Sequence, residues 1–215
     1  GDKLDSTFIN RFHVRQPVHP LKECLCNIGL AVEDITHVLL THLHFDHAGG
    51  ATTINSSGEI VPTFPNATYY ISERNWEAGA NPSPRDQASY LNINYNPIAE
   101  FGQLQLVPEN TEILDGISNL IVHGHTYGQQ LIKVVSEDAT IVFCADLIPL
   151  KSHIQLPWIM GYDLNAVLTL EEKTTFLREV SRNNWWLWLY HDPQTIAIRI
   201  QDGKKYYEVV DEVLR

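Results

Sequence analysis

Residues 41–50 read THLHFDHAGG, so three histidines and one aspartate stand within the six positions from His42 to His47. Several imidazoles beside a carboxylate are costly to bury unless a cation binds them. In an extended chain His42, His44 and Asp46 share one face and the apolar side chains the other, while His47 breaks the alternation where the two glycines allow a turn. The stretch therefore predicts a metal site, with a histidine-rich polar turn as the plain alternative.

Further ligands are expected elsewhere, because side chains that share one loop leave one hemisphere of a metal ion open. Three candidates each follow an apolar run typical of a strand: His125 in IVHGHTYG, Asp146 in IVFCADLIP and His191 in LWLYHDP. Strands that end in one ligand deliver their side chains to a common rim. The predicted ligand set is His42, His44, Asp46, His47, His125, Asp146 and His191.

Taken in order, THLHFDHAGG, GHTYGQ, FCADLIP and YHDP closely resemble the metallo-β-lactamase superfamily. Its pattern is His-x-His-x-Asp-His followed by His, Asp and His from later strand ends. The resemblance runs the length of the chain and implies an α/β fold, a four-layer αββα sandwich. The stretches ITHVLLTHLHFDHAGG, NPSPRDQASY and DLIPLKSHIQLPWIMGYDL are most similar to the homoserine-lactone lactonase-like hydrolases.

The resemblance also implies a dinuclear zinc site, with manganese, iron or cobalt as alternative metals. One zinc would be held by His42, His44 and His125. The other would be held by Asp46, His47 and His191. Asp146 would bridge the two ions together with a water or hydroxide that attacks the substrate, and Asp46 and Asp146 are the residues expected to act in catalysis.

The chain begins at Gly1-Asp2-Lys3, whereas members of the superfamily carry further strands before a GDK-like segment. We therefore expect the N-terminal part of the sandwich to be incomplete. The start GDKLDSTF has neither the charged region nor the apolar run of a signal peptide, which favours a cytoplasmic protein, although a signal ahead of Gly1 stays open. With no repeat, low-complexity segment or linker, residues 1–215 are predicted to form a single domain.

The amino-acid composition disfavours some classes of binding partner. The net charge of -11 and the lack of any run among the 15 Lys and Arg residues disfavour nucleic acid. No stretch approaches the length of apolar sequence that would span a membrane, so no membrane partner is predicted. A small-molecule substrate is expected, and a homodimer is left open. The sparse cysteines Cys24, Cys26 and Cys144 are predicted to be free thiols without metal.

Hydrophobic periodicity predicts alternating helices and strands. Residues 20–29 predict a helix that Gly29 ends, 35–45 and 67–72 predict strands, and Ser72 is expected to cap the helix that follows. Several short apolar runs from 104 to 144 predict a β-meander. Thr169 and Glu172 have the spacing of a capping box for a helix over 168–183, and the tryptophans of WWLWLY at 185–190 are expected to fill the core.

Three residues are candidates for the substrate pocket. His153 lies seven positions beyond Asp146 in a loop expected to overhang the site, although a surface histidine is an equal alternative. Tyr127 and Tyr162 could stabilise an oxyanion, although tyrosines in such folds more often serve packing.

The predicted function is a zinc-dependent hydrolase of a lactone or another carboxylic ester. Apolar residues near the expected rim, such as Trp76 and Trp158, favour an acyl chain, and the negative net charge disfavours anionic substrates. Phosphotriester, thioester and β-lactam hydrolysis on the same ligands are alternatives. A non-catalytic metal-binding module is the alternative from a different class.

Overall fold

The computed structural model describes residues 3–15 and 20–215, which form two compact units. The first unit comprises the described residues up to Ile71 together with Gln87–Leu106. The second comprises Ser72–Asp86 and Val107–Arg215. Helices and strands occur in both units, which confirms the predicted α/β class. The single domain predicted over residues 1–215 stays a prediction.

Short elements dominate the chain. The helices are α1 (Ser6–Phe12), α2 (Pro20–Asn27), α3 (Phe45–Ala48), α4 (Glu73–Ala80), α5 (Asn96–Glu100) and α6 (Ala166–Asn183). The strands are β1 (His37–Leu39), β2 (Thr52–Ile54), β3 (Ile60–Pro62), β4 (Thr68–Ser72), β5 (Leu104–Val107), β6 (Glu112–Leu114), β7 (Ile117–Val122), β8 (Gln129–Val135), β9 (Thr140–Phe143), β10 (Trp186–Trp188), β11 (Thr195–Asp202) and β12 (Tyr207–Leu214). Single 3-10 turns lie at Val32–Asp34, Gln87–Ser89, Asn92–Asn94 and Lys151–Ile154. Among the described residues, no helix combines the length and the apolar character needed to cross a membrane.

The first unit is built on a three-stranded sheet of order β1-β4-β5, in which β1 and β4 run parallel, and on the hairpin β2-β3. Its core includes Leu43 and Tyr69, both with no exposed surface. The Tyr69 hydroxyl accepts a hydrogen bond from the Phe64 N–H at 3.0 Å and donates one to the Ala51 carbonyl at 3.0 Å. The phenol therefore ties the hairpin region to the sheet, and burial raises its pKa to about 12.

The second unit is built on a seven-stranded sheet of order β12-β11-β10-β9-β8-β7-β6. All neighbours are antiparallel except β9 and β10, which run parallel and are connected through α6. Phe176, Leu177 and Val180 of α6 join the core formed by residues of this sheet, among them Leu131 and Leu187. The helix thus buries part of one face of the sheet, as crossover helices between parallel strands do.

Several sequence expectations are confirmed. The helix predicted from Pro20 ends at Asn27, and Gly29 follows with a φ of 79°, a conformation that glycine adopts without strain. Ser72 caps α4 by accepting a hydrogen bond from the Asn75 N–H. The predicted meander forms from β6 to β9, whereas β5 pairs with the sheet of the first unit.

The predicted capping box of α6 is wrong. The helix begins one turn earlier, and the side chain of Asn165 caps it by accepting a hydrogen bond from the Leu168 N–H. Thr169 is instead inside the helix and donates to the Asn165 carbonyl at 3.1 Å. The Glu172 carboxylate instead accepts hydrogen bonds from the backbone N–H groups of His123 and Gly124, which lie outside the helix. The local capping pattern was therefore outweighed by a contact between residues distant in sequence.

Two strand expectations also differ from the structure. The strand predicted over 35–45 is reduced to β1, and the chain turns into α3 directly after His44. The strand predicted over 185–190 contains only Trp186–Trp188. Trp185 is buried, but Trp188 is 43% exposed, because side chains alternate along a strand and Leu187 takes the face that meets α6. The tryptophans therefore do not all fill the core.

Candidate metal centre

In the second unit β7, β9 and β10 run in the same direction: β9 and β10 are parallel neighbours, and β7 is separated from β9 by one antiparallel strand. Their last residues are Val122, Phe143 and Trp188. The third residue after each strand is a predicted ligand, namely His125, Asp146 and His191. Because like-directed strands end at one edge of a sheet, equal offsets place these three side chains at that edge.

Asp146 lies between the other two predicted ligands of this unit. Its Oδ2 atom is 3.2 Å from Nε2 of His125, and its Oδ1 atom is 3.1 Å from Nε2 of His191. The side chains of Asp146 and His125 are only 7% and 4% exposed, whereas His191 is 33% exposed. Each oxygen of one carboxylate therefore faces a different imidazole.

The backbone before Asp146 is strained. Ala145 has a φ of 44°, in the left-handed region that residues with a Cβ atom avoid, and it has no exposed surface. Such a conformation costs about 1–2 kcal/mol for a non-glycine residue. Strain of this kind is retained where the surrounding structure imposes it, and it is common beside functional groups.

His125 is oriented by a second carboxylate. Its Nδ1 atom lies 3.0 Å from Oδ1 of Asp163, and Asp163 is 5% exposed. The Leu164 N–H also donates to the His125 carbonyl at 3.1 Å. An acidic partner on Nδ1 leaves Nε2 as the atom that would bind a metal. The sequence analysis missed Asp163, whose only local signal was its place just before the N-terminus of α6.

Glu172 supports the same segment from α6. Its two carboxylate oxygens accept hydrogen bonds from the N–H groups of His123 at 2.7 Å and Gly124 at 3.0 Å. Burial raises the pKa of Glu172, and the two N–H donors partly oppose this. A Cβ atom on Gly124 would lie 2.4 Å from the backbone nitrogen of Thr169, so glycine is required for this close approach. The ligand-bearing loop is therefore held tightly against α6.

The turn after His191 is organised by Asp192. Its carboxylate accepts hydrogen bonds from the N–H groups of Lys151, Gln194 and Thr195 at 2.9–3.0 Å. Burial alone would raise the pKa of Asp192, but the three N–H donors and the Lys151 charge together lower it. The His191 N–H donates to the Pro149 carbonyl at 3.2 Å, which links the chain after β10 to the chain after β9.

The first unit carries the other four predicted ligands close together. The ring centroids of His42 and His44 are 4.6 Å apart, and those of His42 and His47 are 4.0 Å apart. Oδ2 of Asp46 lies 3.6 Å from Nε2 of His47. His42 and His44 are buried, whereas the Asp46 side chain is 42% exposed. Nδ1 of His42 is 3.2 Å from the Thr41 hydroxyl, so a metal would be bound through Nε2.

Local packing explains this cluster. His42 is the third residue after β1, the same offset that the ligands of the second unit have. Leu43 is fully buried, and Phe45 packs edge-on against Phe8 with ring centroids 4.8 Å apart. His44 ends the extended stretch, and its carbonyl accepts the first hydrogen bonds of α3, which turns Asp46 and His47 back beside it.

Two of the three pocket candidates are strongly exposed: Tyr127 by 53% and Tyr162 by 80%. His153 is partly buried. Burial lowers its pKa, as does the charge of Lys173, while Asp163 and Asp146 act in the opposite direction. His153 therefore lies within the electrostatic reach of a predicted ligand, and the roles of all three residues stay predictions.

The donor chemistry of both clusters fits zinc. Imidazole nitrogen and carboxylate oxygen are the donors that zinc binds most often besides thiolate, and manganese, iron and cobalt accept the same atoms. The ligand atoms of His42 and His44, and likewise those of Asp46 and His47, lie within 4.8 Å of one another. Such spacing matches donors that converge on an ion, with two of the imidazoles withdrawn from water.

The model of the metallo-β-lactamase superfamily matches residues 10–189 of this chain. The chain belongs to the metallo-β-lactamase superfamily. The family was therefore identified correctly from the four sequence stretches that carry the predicted ligands.

Two relatives illustrate the similarity. An N-acyl homoserine lactonase of Bacillus cereus is 27% identical over 119 residues, which cover 55% of this chain and 40% of that protein. A probable metallo-hydrolase of Methanocaldococcus jannaschii is 29% identical over 157 residues, which cover 72% of this chain and 59% of that protein. The chain thus spans between about two fifths and three fifths of the length of these relatives.

Among solved structures, a probable metal-dependent hydrolase from Staphylococcus aureus superposes with a TM-score of 0.88 at 27% identity. The superposition covers 99% of this chain and 74% of that one. It confirms the predicted metallo-β-lactamase fold.

Proposed function

We propose that this chain is a dizinc hydrolase of carboxylic esters whose preferred substrates are lactones. The observation that carries the proposal is Asp146, which presents one oxygen at 3.2 Å to His125 and the other at 3.1 Å to His191. A carboxylate shared in this way suits a bridge between two ions. In the proposed site His42, His44 and His125 would hold the first zinc, Asp46, His47 and His191 would hold the second, and Asp146 would contact both.

Zinc in such a site lowers the pKa of a coordinated water and polarises the carbonyl oxygen of an ester. The chain's own residues supply orientation and proton transfer. Asp163 holds the His125 ring through Nδ1 at 3.0 Å, and Glu172 holds the backbone just before that ring. We assign to Asp46, the more exposed of the two ligand carboxylates, the transfer of a proton to the oxygen that leaves when the ester C–O bond breaks.

The choice of a lactone rests on the surroundings of the site and on the relatives. Two curated Bacillus relatives are named N-acyl homoserine lactonases. Trp158 is 57% exposed in the segment that follows Asp146, which provides an apolar surface for an acyl chain. The net charge of -11 disfavours anionic substrates at long range. A neutral lactone with a medium-length acyl chain meets both conditions.

The metal content tests the first half of the proposal. We expect two zinc ions per chain after loading and removal of excess metal, measured by atomic emission or absorption. Seven nitrogen and oxygen donors exceed what one tetrahedral zinc uses. A content of one ion or none would contradict the dinuclear site.

A substrate panel tests the second half. On one zinc-loaded preparation, kcat/KM is compared for a medium-chain acyl lactone, a thioester, a neutral aryl phosphotriester and a penicillin. We expect the lactone to be hydrolysed fastest. A tenfold preference for any of the others would refute the substrate while leaving the metal site intact. Two bound zinc ions without turnover of any substrate would identify the chain as a non-catalytic metal-binding module.

A further inference from the structure

Lys173 is a charged residue in the interior of the second unit. It lies on α6 with no exposed surface, on the face that also buries Phe176 and Leu177. Its ammonium group donates hydrogen bonds to the carbonyl oxygens of Gln155 at 2.7 Å, Trp158 at 2.5 Å and, more weakly, Leu156 at 3.5 Å. All three acceptors belong to one short stretch of chain.

The energetics of this arrangement indicate a specific role. Burying an ammonium group is strongly unfavourable unless its donors are satisfied, and an apolar side chain would fill the same helix position at no such cost. An ammonium group has three donors, which here meet three carbonyl acceptors. Charge-assisted hydrogen bonds of this kind are about twice as strong as neutral ones. We therefore expect Lys173 to stabilise the conformation of the backbone whose carbonyl groups it binds.

That backbone has little other regular structure. Residues 155–165 contain neither helix nor strand, so their conformation depends on individual contacts. The Gln155 side chain donates to the Tyr207 carbonyl at 3.2 Å, and Arg85 donates to the Gly161 carbonyl at 2.6 Å. The single Nζ atom of Lys173 makes three hydrogen bonds to this stretch, whereas the Gln155 and Arg85 side chains make one each.

The segment also leads from one part of the proposed site to another. It is preceded by His153, whose pKa responds to the charges of Asp146 and Asp163. It includes Asp163, which holds the ring of His125. Between them Trp158 and Tyr162 expose 57% and 80% of their surface. The middle of the segment is thus the part that a substrate acyl group could contact, and it is the part that Lys173 fixes.

We propose that Lys173 is a positioning residue that holds residues 155–158 against α6 and thereby sets the acyl-chain preference of the enzyme. The proposal rests on the proposed hydrolase function. Loss of the ammonium group leaves the seven metal ligands in place but frees the segment that carries Trp158. Loss of the ammonium group is expected to raise KM for substrates with long acyl chains, with little change in kcat or zinc content.

The test compares Lys173→Met with the wild-type protein and with Arg178→Met, which removes a positive charge from an exposed position of the same helix. Hydrogen–deuterium exchange is measured on the zinc-loaded proteins by mass spectrometry. KM and kcat are measured for lactones with a long and a short acyl chain. Should Lys173→Met not fold, Lys173→Gln, which keeps two donors without the charge, replaces it.

In Lys173→Met we expect faster exchange confined to residues 155–158, and a KM for the long-chain lactone raised at least about tenfold. The short-chain KM, kcat and zinc content should stay near wild type, as should all values for Arg178→Met. Unchanged exchange over 155–158 would overturn the proposal, and so would loss of zinc or an equal rise of KM for both lactones. Exchange needs no turnover, so a wild-type protein inactive on lactones refutes the proposed function separately.

Discussion

Nδ1 of His125 lies 3.0 Å from Oδ1 of Asp163, and both residues are buried. The two residues are 38 positions apart in the sequence. They meet because the chain just before α6 binds the chain just after β7, where the Leu164 N–H donates to the His125 carbonyl. A buried carboxylate on the second nitrogen of a ligand histidine sets both its tautomer and its ring orientation.

The first prediction follows from this pair. Asp163→Asn keeps the shape of the side chain but replaces the carboxylate by an amide, so the His125 ring loses a charged acceptor. We expect zinc affinity to fall by about 10–100-fold, as is typical when such outer partners are removed. Competition with a chromogenic chelator measures it. The exposed substitution Asp138→Asn is the matched control, and equal affinity of both variants would show that Asp163 does not support the ligand.

The second prediction concerns Asp146. Asp146→Ala should release at least one zinc and abolish hydrolysis, because one carboxylate is proposed to serve both ions. Metal analysis and lactone turnover are measured on the same preparation, with exposed Asp115→Ala as the control. Near-normal zinc content and rate in Asp146→Ala would refute the bridge.

The third prediction tests the close packing of Gly124 on α6. A Cβ atom there would lie 2.3–2.6 Å from side-chain and backbone atoms of Thr169, so Gly124→Ala must displace the loop that carries His125. We expect the free energy of unfolding to fall by about 1–3 kcal/mol and zinc affinity to fall with it. Gly161→Ala is a strong control, because no atom outside its neighbours lies within 4 Å of the added Cβ. Urea denaturation compares the two variants, and similar stabilities would contradict the packing argument.

The fourth prediction is a pH dependence. Desolvation lowers the pKa of Lys173 to about 8, with Asp163 acting in the opposite direction, whereas an unfolded lysine titrates near 10.5. Between these values the unfolded state holds one proton more than the folded state, so raising the pH favours the folded state. The free energy of unfolding of wild type minus that of Lys173→Met should therefore rise from pH 8 to pH 10.

Urea titrations of wild type and Lys173→Met, both with the same metal chelator present, measure this difference in the free energy of unfolding. The phenols of Tyr69 and Tyr95, whose pKa values burial raises to about 12, are common to both proteins and cancel. A difference that stays flat or falls over this range would mean that Lys173 remains charged when buried.

The fifth prediction separates the thiols. Cys24 and Cys26 are exposed and Cys144 is buried, and burial raises the pKa of the Cys144 thiol far above its usual range. A thiol reagent without reductant should therefore label two groups in the folded protein and three in denaturant. Fewer than three in denaturant would reveal a disulfide.

The parts of the fold that were predicted correctly carry local signals. The histidine-rich stretch at 42–47 and the positions of the candidate ligands after β7, β9 and β10 follow apolar runs, and strand ends can be read from such runs, whereas the binding of metal by these residues stays a prediction. Helix α4 was predicted because its cap, Ser72, bonds to a residue three positions away. Patterns within a few residues suffice for features of this kind.

The features that were missed depend on distant residues. Glu172 was interpreted as part of a capping box, but its carboxylate binds N–H groups 48 and 49 positions away. Asp163 likewise contacts the ring of His125, which is 38 positions away, and the Lys173 ammonium group binds the Trp158 carbonyl, which is 15 positions away. In the sequence each is an ordinary charged residue, and only tertiary packing gives it a partner.

Ala145 also has a consequence for how this sequence can vary. Its positive φ disfavours every residue with a bulky or branched side chain, and its complete burial leaves no space for the side chains of Asn or Asp, which otherwise tolerate that conformation. Only alanine and glycine satisfy both conditions. In a library randomised at position 145 and selected for zinc retention, those two amino acids should dominate the survivors, although the position itself contributes no ligand atom.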